Sequence, residues 1–130
     1  MVTMIMDAIR QAQNMHRAVI EQTYVGRCTV TEHRKVKKPN GSTGFEEAVV
    51  FEKQPCLMIY KTVSSASTPE PAAVINQGTV LLIAPEVEIK PGSKITVSQN
   101  GVTMDYARSG IPAVFATHQE IYLESFKGYA

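Results

Sequence analysis

The side chains that could do chemistry in this chain are few, and the closest pair of them is His118 and Glu120. They lie two residues apart on a predicted strand, so both point to one face, as two ligands of a metal ion would. A metal would need a further ligand there, for which His33 and Asp105 are the candidates. Nothing in the spacing brings either of them to this face, so we expect no metal and no cofactor.

Motifs for nucleophilic catalysis and for phosphate binding are equally sparse. Cys28 and His33 are five residues apart on a predicted strand, which directs their side chains to opposite faces and makes a Cys–His nucleophile pair improbable. No Gly-x-Ser-x-Gly occurs, and the Pro-Gly-Ser-Lys at 91–94 has neither the spacing of a phosphate-binding loop nor a helix after it. We therefore predict that the chain is not an enzyme and has no catalytic residues.

Length and composition favour a single soluble domain over residues 1–130. The chain is 44% apolar and 19% charged with a formal net charge of +1, which excludes a strongly basic nucleic-acid-binding protein and an acidic disordered tail. Its two cysteines, Cys28 and Cys56, are too few for a disulfide framework and predict small buried thiols. No apolar run is long enough to span a membrane, and Asp7 and Arg10 in the N-terminal stretch disfavour a signal peptide.

Positive charge is concentrated in one short segment. Residues 1–65 carry nine basic and six acidic side chains, whereas 66–130 carry four and six. Four of the basic residues fall within five positions: Arg34, Lys35, Lys37 and Lys38. Such a cluster is either a solvated tip that resists aggregation or a contact for phosphate or an acidic partner.

An amphipathic helix is predicted over residues 4–22. Ile5, Ile9, Ala12 and Val19 recur at steps of three, four and seven, which places them on one apolar stripe. No proline or glycine interrupts the segment before Gly26. The stripe could pack on its own chain or on a neighbouring copy, and the sequence leaves both open.

After Gly26 the apolar period changes to two, which predicts strands. Residues 27–53 form a long hairpin around the turn at 38–42, and Pro55 indicates an edge position or a bulge in its second strand. Further strands are expected at 80–83, 86–90, 94–98, 102–106 and 113–125, with a second hairpin turn at Asn100-Gly101. We predict a mainly β chain: a small antiparallel β-barrel of six or seven strands over 26–126, with an N-terminal α-helix.

One low-complexity stretch interrupts the strands and predicts an extended, mobile loop at 62–72. Small residues and two prolines offer little to a core, and a loop of this length is either functional or a tolerated insertion. Its residues are Thr62, Val63, Ser64, Ser65, Ala66, Ser67, Thr68, Pro69, Glu70, Pro71 and Ala72.

A small barrel can also bind single-stranded nucleic acid, with bases stacked on aromatic rings in a basic groove. The aromatic residues of this chain are scattered and do not interleave with lysine and arginine along the sequence, and tryptophan is absent. A nucleic-acid-binding barrel of the OB type, acting as a monomer or dimer, is therefore the alternative.

Most of the chain resembles one family. The matching stretches are 82–97, 100–106, 109–115 and 117–121, together with Tyr-Val-Gly-Arg-Cys-Thr-Val at 24–30 and Gln-Pro-Cys-Leu at 54–57. In these it resembles the head–tail connector (stopper, or head-completion) proteins of PBSX-type prophages and related tailed phages of Gram-positive bacteria.

The resemblance implies a ring, commonly a hexamer or dodecamer, assembled in the bacterial host cytoplasm and located in the virion neck. One side of the ring would contact the portal–adaptor ring, and the other the tail terminator or tail tube. The ring would continue the DNA channel and, in stoppers, close it with an inward loop. On this chain, 62–72 is then the candidate channel or docking loop, and Arg34, Lys35, Lys37 and Lys38 contact DNA phosphate non-specifically or an acidic neighbouring ring. A tail-terminator ring is a second alternative.

Overall fold

The computed structural model describes residues 2–64 and 75–129, in which one helix precedes seven strands. The elements in chain order are α1 (Val2–Glu21), β1 (Gly26–Lys37), β2 (Thr43–Ser64), β3 (Ile75–Ile83), β4 (Lys94–Gln99), β5 (Val102–Arg108), β6 (Ala113–Val114) and β7 (Gln119–Ser125). The mainly β class with a leading helix is confirmed.

All strand pairs are antiparallel, and the sheet closes on itself. The order is β3-β2-β1-β4-β5-β7-β6, and β3 also pairs with β7. Six strands therefore form a closed ring, while the short β6 pairs with β7 beside it. Closure removes the open edges along which sheets aggregate.

Alternation along the strands fills this closed sheet with apolar side chains. Inward positions are buried on every one of the six strands, including Val30, Leu81, Ile95 and Ile121, each at 0% exposure. Cys28 and Cys56 are also buried in this core, as the sequence predicts.

Both predicted hairpin turns are present. Asn100 and Gly101 adopt positive φ angles of 53° and 79°, the geometry that a two-residue turn between twisted strands requires. At the other turn, Gly41 has φ 84° and its N–H donates to the Lys38 carbonyl at 2.9 Å.

The expected strand at 86–90 is wrong. Val87 and Ile89 are buried, so the alternation is real, but the segment between β3 and β4 has no strand partner. Side chains bond its carbonyls instead: the Gln119 amide donates to Ala84 at 2.8 Å and to Val87, and Arg108 donates to Ile89 at 2.7 Å. Apolar side chains therefore alternate in burial here although the segment has no hydrogen-bonded neighbouring strand.

Pro55 lies next to a bulge, but not at an edge. β2 runs between β1 and β3, so the edge position is wrong. The β1–β2 register shifts between Cys28 and Thr31, and Lys53 there has a φ of 51°. The extra residues on β2 bend the strand just before the proline, as bulges do.

Two boundaries also differ from the sequence prediction. The last strand is not continuous over 113–125, because a turn closed by Phe115 N–H donating to the His118 carbonyl at 2.8 Å separates β6 from β7. The predicted start of the loop at residue 62 is wrong, because Thr62, Val63 and Ser64 extend β2 and pair with β3. Residues 65–72 of that loop lie outside the described residues.

The helix begins and ends close to the predicted bounds, but it does not join the core. No residue of α1 is buried. Within the described ranges, no helix has the length and apolar character that crossing a membrane requires.

Candidate interaction surfaces

The β1–β2 hairpin projects beyond the closed sheet as a two-stranded arm. Pairing between β1 and β4 ends at Thr31 with Lys94, whereas pairing between β1 and β2 continues to Lys37 with Thr43. We call residues 32–48 the basic arm. Its strands are held by their own ladder, and it carries all four residues of the predicted basic cluster.

The tip of the basic arm is fixed by local hydrogen bonds. Lys38 N–H donates to the Ser42 carbonyl at 2.8 Å, and the Asn40 side-chain oxygen accepts from the Ser42 N–H at 3.1 Å and its hydroxyl at 2.6 Å. The Lys38 side chain lies over Gly44, where a Cβ atom would collide with it. The charges at the tip are therefore presented by an ordered turn.

The four basic residues do not act as one group, because they are divided between the two faces of the arm. Arg34 shares its face with Glu32, and their charged groups are 3.1 Å apart. Lys35 and Lys37 project from the other face. Within residues 2–64 and 75–129, no carboxylate lies within ion-pair distance of Lys35, Lys37 or Lys38. The positive charge without a carboxylate partner therefore belongs to these three lysines, while the arm as a whole, which also contains Glu32, Glu46 and Glu47, has a net charge of +1.

An exposed aromatic ring accompanies them. Phe45 pairs with Lys35 across the arm and is 61% exposed. Aromatic and basic residues do not interleave along the sequence, because Phe45 lies on the strand opposite Lys35. Cross-strand pairing at the predicted hairpin register would have brought the two residues together.

Stacked rings support the base of the arm. His33 lies between Phe45 and Tyr129, with ring centroids 4.6 Å and 4.3 Å away. Lys94 reaches Glu47 at 3.3 Å, and this bond raises the pKa of Lys94. The rings and the ion pair tie the arm to β4 and to the residues after β7.

An open cleft of about 450 Å³ lies beside these rings, between the arm and the turn that precedes β4. Its lining combines rings with opposite charges, Glu32 and Arg34 from the arm and Lys90 from the turn.

A second two-stranded extension occurs at the other end of β2. β3 pairs with β7 only from Thr79 to Ile83, whereas its pairing with β2 continues to Ile75 with Ser64. We call 61–64 with 75–78 the ribbon. It leads to the predicted channel loop, of which 65–72 lie outside the described residues.

His118 and Glu120, the candidate pair of metal ligands, have no third ligand beside them among the described residues. His118 Nε2 lies 3.8 Å from a Glu120 oxygen, and its Nδ1 lies 2.9 Å from the Thr117 hydroxyl. In the described part of the chain, no group of three His, Cys, Asp or Glu residues is placed to hold a metal ion. Of the two candidate further ligands, His33 is stacked in the arm and Asp105 accepts from Thr96 at 2.7 Å.

The two thiols belong to the core. Cys28 and Cys56 are 1% and 0% exposed. The hydrogen bond between them and their burial raise the pKa of the Cys28 thiol, which opposes formation of a thiolate nucleophile.

Comparison with known proteins gives one structural likeness. No protein-family model and no curated protein matches the chain. The solved structure of the phage-like element PBSX protein xkdH from Bacillus subtilis is similar, with a TM-score of 0.45 and 10% identity. The match covers 76% of this chain and 91% of that one.

Proposed function

We propose that this chain is a structural subunit of a head–tail connector in a tailed phage or phage-like particle. Copies of it would form a ring in the neck, between the portal–adaptor ring and the tail, and continue the DNA channel. The observation that carries this role is the pair of extensions at opposite ends of β2, the basic arm and the ribbon. A rigid closed sheet with one extension at each end suits a subunit that connects two neighbours.

The basic arm would contact DNA phosphate or an acidic neighbouring ring. Lys35, Lys37 and Lys38 carry no ion pair among the described residues, so their charge is available to a partner. In a ring of six or twelve copies the three charges are repeated six- or twelvefold. Contacts that are weak for one subunit then add up to strong binding by the ring. Such contacts bind the backbone without reading its sequence.

The loop reached through the ribbon would project into the channel or dock on the tail. Thr62–Ala72 contains one charged residue, Glu70. A nearly uncharged loop is better suited to closing the channel than to binding DNA phosphate. The ladder from Lys61 to Ser64 with β3 would give this loop a firm base. In this role the loop would keep the DNA channel closed until the tail joins.

Charge reversal in the arm tests the role. In a host that produces the particles, Lys35→Glu and Lys37→Glu together should reduce DNA-filled, tailed particles at least tenfold. Lys53→Glu and Lys127→Glu together make the same change of charge outside the arm and the cleft and serve as the control. Electron microscopy and nuclease-protected DNA measure the yield. Equal yields from both double variants would refute the role of the arm.

One observation favours the alternative of a nucleic-acid-binding barrel, namely Phe45 exposed beside Lys35. A ring flanked by cations is the element on which bases stack. Fluorescence anisotropy with labelled single-stranded DNA separates the two functions. Micromolar affinity of the isolated chain that Phe45→Ala abolishes would favour the alternative, whereas the connector role predicts weak, salt-sensitive binding that Phe45→Ala leaves unchanged. The position of the ring in particle images distinguishes a connector from a tail terminator.

A further inference from the structure

The apolar face of α1 is exposed to solvent. Only Arg17 and Ile20 of the helix are half-buried, and Arg17 forms a two-pronged ion pair with Glu86, with one N–O distance of 2.8 Å. At 3.6 residues per turn, the middle of the stripe through Ile5 and Val19 lies about 110° from this attached side. The two side chains are 57% and 61% exposed.

The composition of α1 favours a protein partner over a lipid surface. Helices that lie on membranes carry many lysines and arginines beside their apolar face. α1 has two arginines against Asp7 and Glu21, and Arg17 is already engaged with Glu86 and Glu21. The apolar face is therefore left for another polypeptide.

The same chain exposes a second apolar surface of matching character. In the segment 111–115, which contains β6, Ile111 is 89% exposed, and Val114 and Phe115 are also exposed. This segment pairs with β7, which lies three strands from β1 around the closed sheet. The helix leads into β1 and is attached through Arg17 to Glu86, in the segment that follows β3. Both apolar surfaces are exposed in one copy, so each can meet the other surface of a second copy.

We propose that α1 docks on the 111–115 segment of a second copy of this chain, in a head-to-tail contact. This interface deepens the proposed ring and rests on it. A head-to-tail contact uses two different surfaces of each copy and generates a closed ring when the rotation permits. A contact of α1 with itself would cover the helix and leave Ile111, Val114 and Phe115 exposed.

Charge supports the same pairing. The outward face of β7 next to the segment carries Glu120 and Glu124, and α1 carries an exposed Arg10. Glu120 also lies 3.9 Å from Lys61 of its own chain, so Glu124 is the carboxylate left for Arg10 of a second copy.

The size of the contact predicts weak association of two copies. A 20-residue helix is about 30 Å long, whereas five extended residues span at most about 17 Å, so the segment covers only part of the apolar face. Stable pairs bury roughly 800 Å² per partner. Each copy in a closed ring makes two such contacts, so the ring is stable where an isolated pair is not.

Cross-linking between two single-cysteine variants tests the interface. Ala12→Cys lies in the middle of the α1 stripe, Val114→Cys lies in the segment, and Asn14→Cys on the polar side of α1 is the matched control. The native thiols are buried, so a short bismaleimide reacts with the introduced ones. We expect at least tenfold more cross-linked heterodimer from Ala12→Cys mixed with Val114→Cys than from Asn14→Cys mixed with Val114→Cys.

Two results would overturn the interface. Predominant Ala12→Cys homodimers would show that helices pair with each other, and equal heterodimer yields with the Asn14→Cys control would show that α1 does not meet the segment. A second measurement separates the interface from the proposed function: a tagged copy of the chain is tested for co-purification with particles. If the tagged chain co-purifies but either cross-linking result above is obtained, only the interface is wrong. Absence of the tagged chain from particles would instead refute the proposed function.

Discussion

The basic arm and α1 both project from the closed sheet, but they differ in what their exposed surfaces need. The arm is held by its own ladder and by the His33 stack, and it exposes mainly charged side chains. The helix is held by the Arg17–Glu86 pair and exposes Ile5, Ile9 and Val19. Charged side chains are well solvated in water, whereas a contiguous exposed apolar stripe is typical of a surface that binds another molecule.

The largest expected effect is a difference in stability between a substitution in the closed sheet and one in the helix. Leu81→Ala removes a fully buried side chain and should lower the free energy of unfolding by about 2–5 kcal/mol. Ile9→Ala removes an exposed one and should change the free energy of unfolding of the isolated chain by less than about 0.5 kcal/mol. Urea unfolding measures both. Comparable losses would mean that α1 packs on its own chain.

A second variant tests how the segment between β3 and β4 is held on the core. Gln119→Leu leaves the carbonyls of Ala84 and Val87 without their amide donor and should cost about 1–3 kcal/mol. Gln11→Leu, on the exposed polar side of α1, is the control and should leave stability unchanged. Thermal unfolding followed by circular dichroism checks the difference. A neutral Gln119→Leu would show that the two hydrogen bonds contribute nothing net.

Charge reversal in the arm should have a small effect on stability. Lys35→Glu and Lys37→Glu should each change the free energy of unfolding by less than about 0.5 kcal/mol, because both side chains are solvated. A loss of particle yield without a loss of stability would place the effect in assembly. A large fall in the urea midpoint would mean instead that the arm depends on these lysines to fold.

The smallest effect concerns attachment of the helix. The hydrogen bond from Arg17 holds the pKa of Glu86 below its ordinary value. The pair therefore stabilises the attached helix above the ordinary carboxyl pKa and is lost as the pH falls through the lowered one. Because Glu86 is 65% exposed, the contribution should be only a few tenths of a kcal/mol.

An NMR titration of the Arg17 side-chain N–H from about pH 7 to about pH 3 should detect this release, since that range spans carboxyl titration. Glu86→Gln should remove the transition while the rest of the spectrum stays folded. A transition that persists in Glu86→Gln would assign it to another carboxyl, with Glu21 the nearest.

Much of the fold follows from local pattern. The helix, the long hairpin and both glycine turns were predictable because periodicity and positive φ are local properties. The strand at 86–90 was not, because Val87 and Ile89 alternate for burial while their carbonyl partners, Gln119 and Arg108, come from distant strands. The closure of β3 on β7 likewise depends on pairs far apart in the chain.

The candidate surfaces were predictable only in part. The basic cluster was evident from the sequence, but its division between Arg34 with Glu32 and the three lysines depends on which face each side chain takes. The association of Phe45 with Lys35 needed the hairpin register. The direction of the α1 stripe depends on the Arg17–Glu86 contact, which joins residues distant in sequence.

Cryo-electron microscopy of the assembled particles tests the central claim most directly. We predict a ring of this fold in the neck, each copy placing the basic arm toward one neighbouring ring or the DNA and the ribbon toward the other end. Particles that assemble, retain DNA and join tails with no copy of this chain in the neck would contradict it.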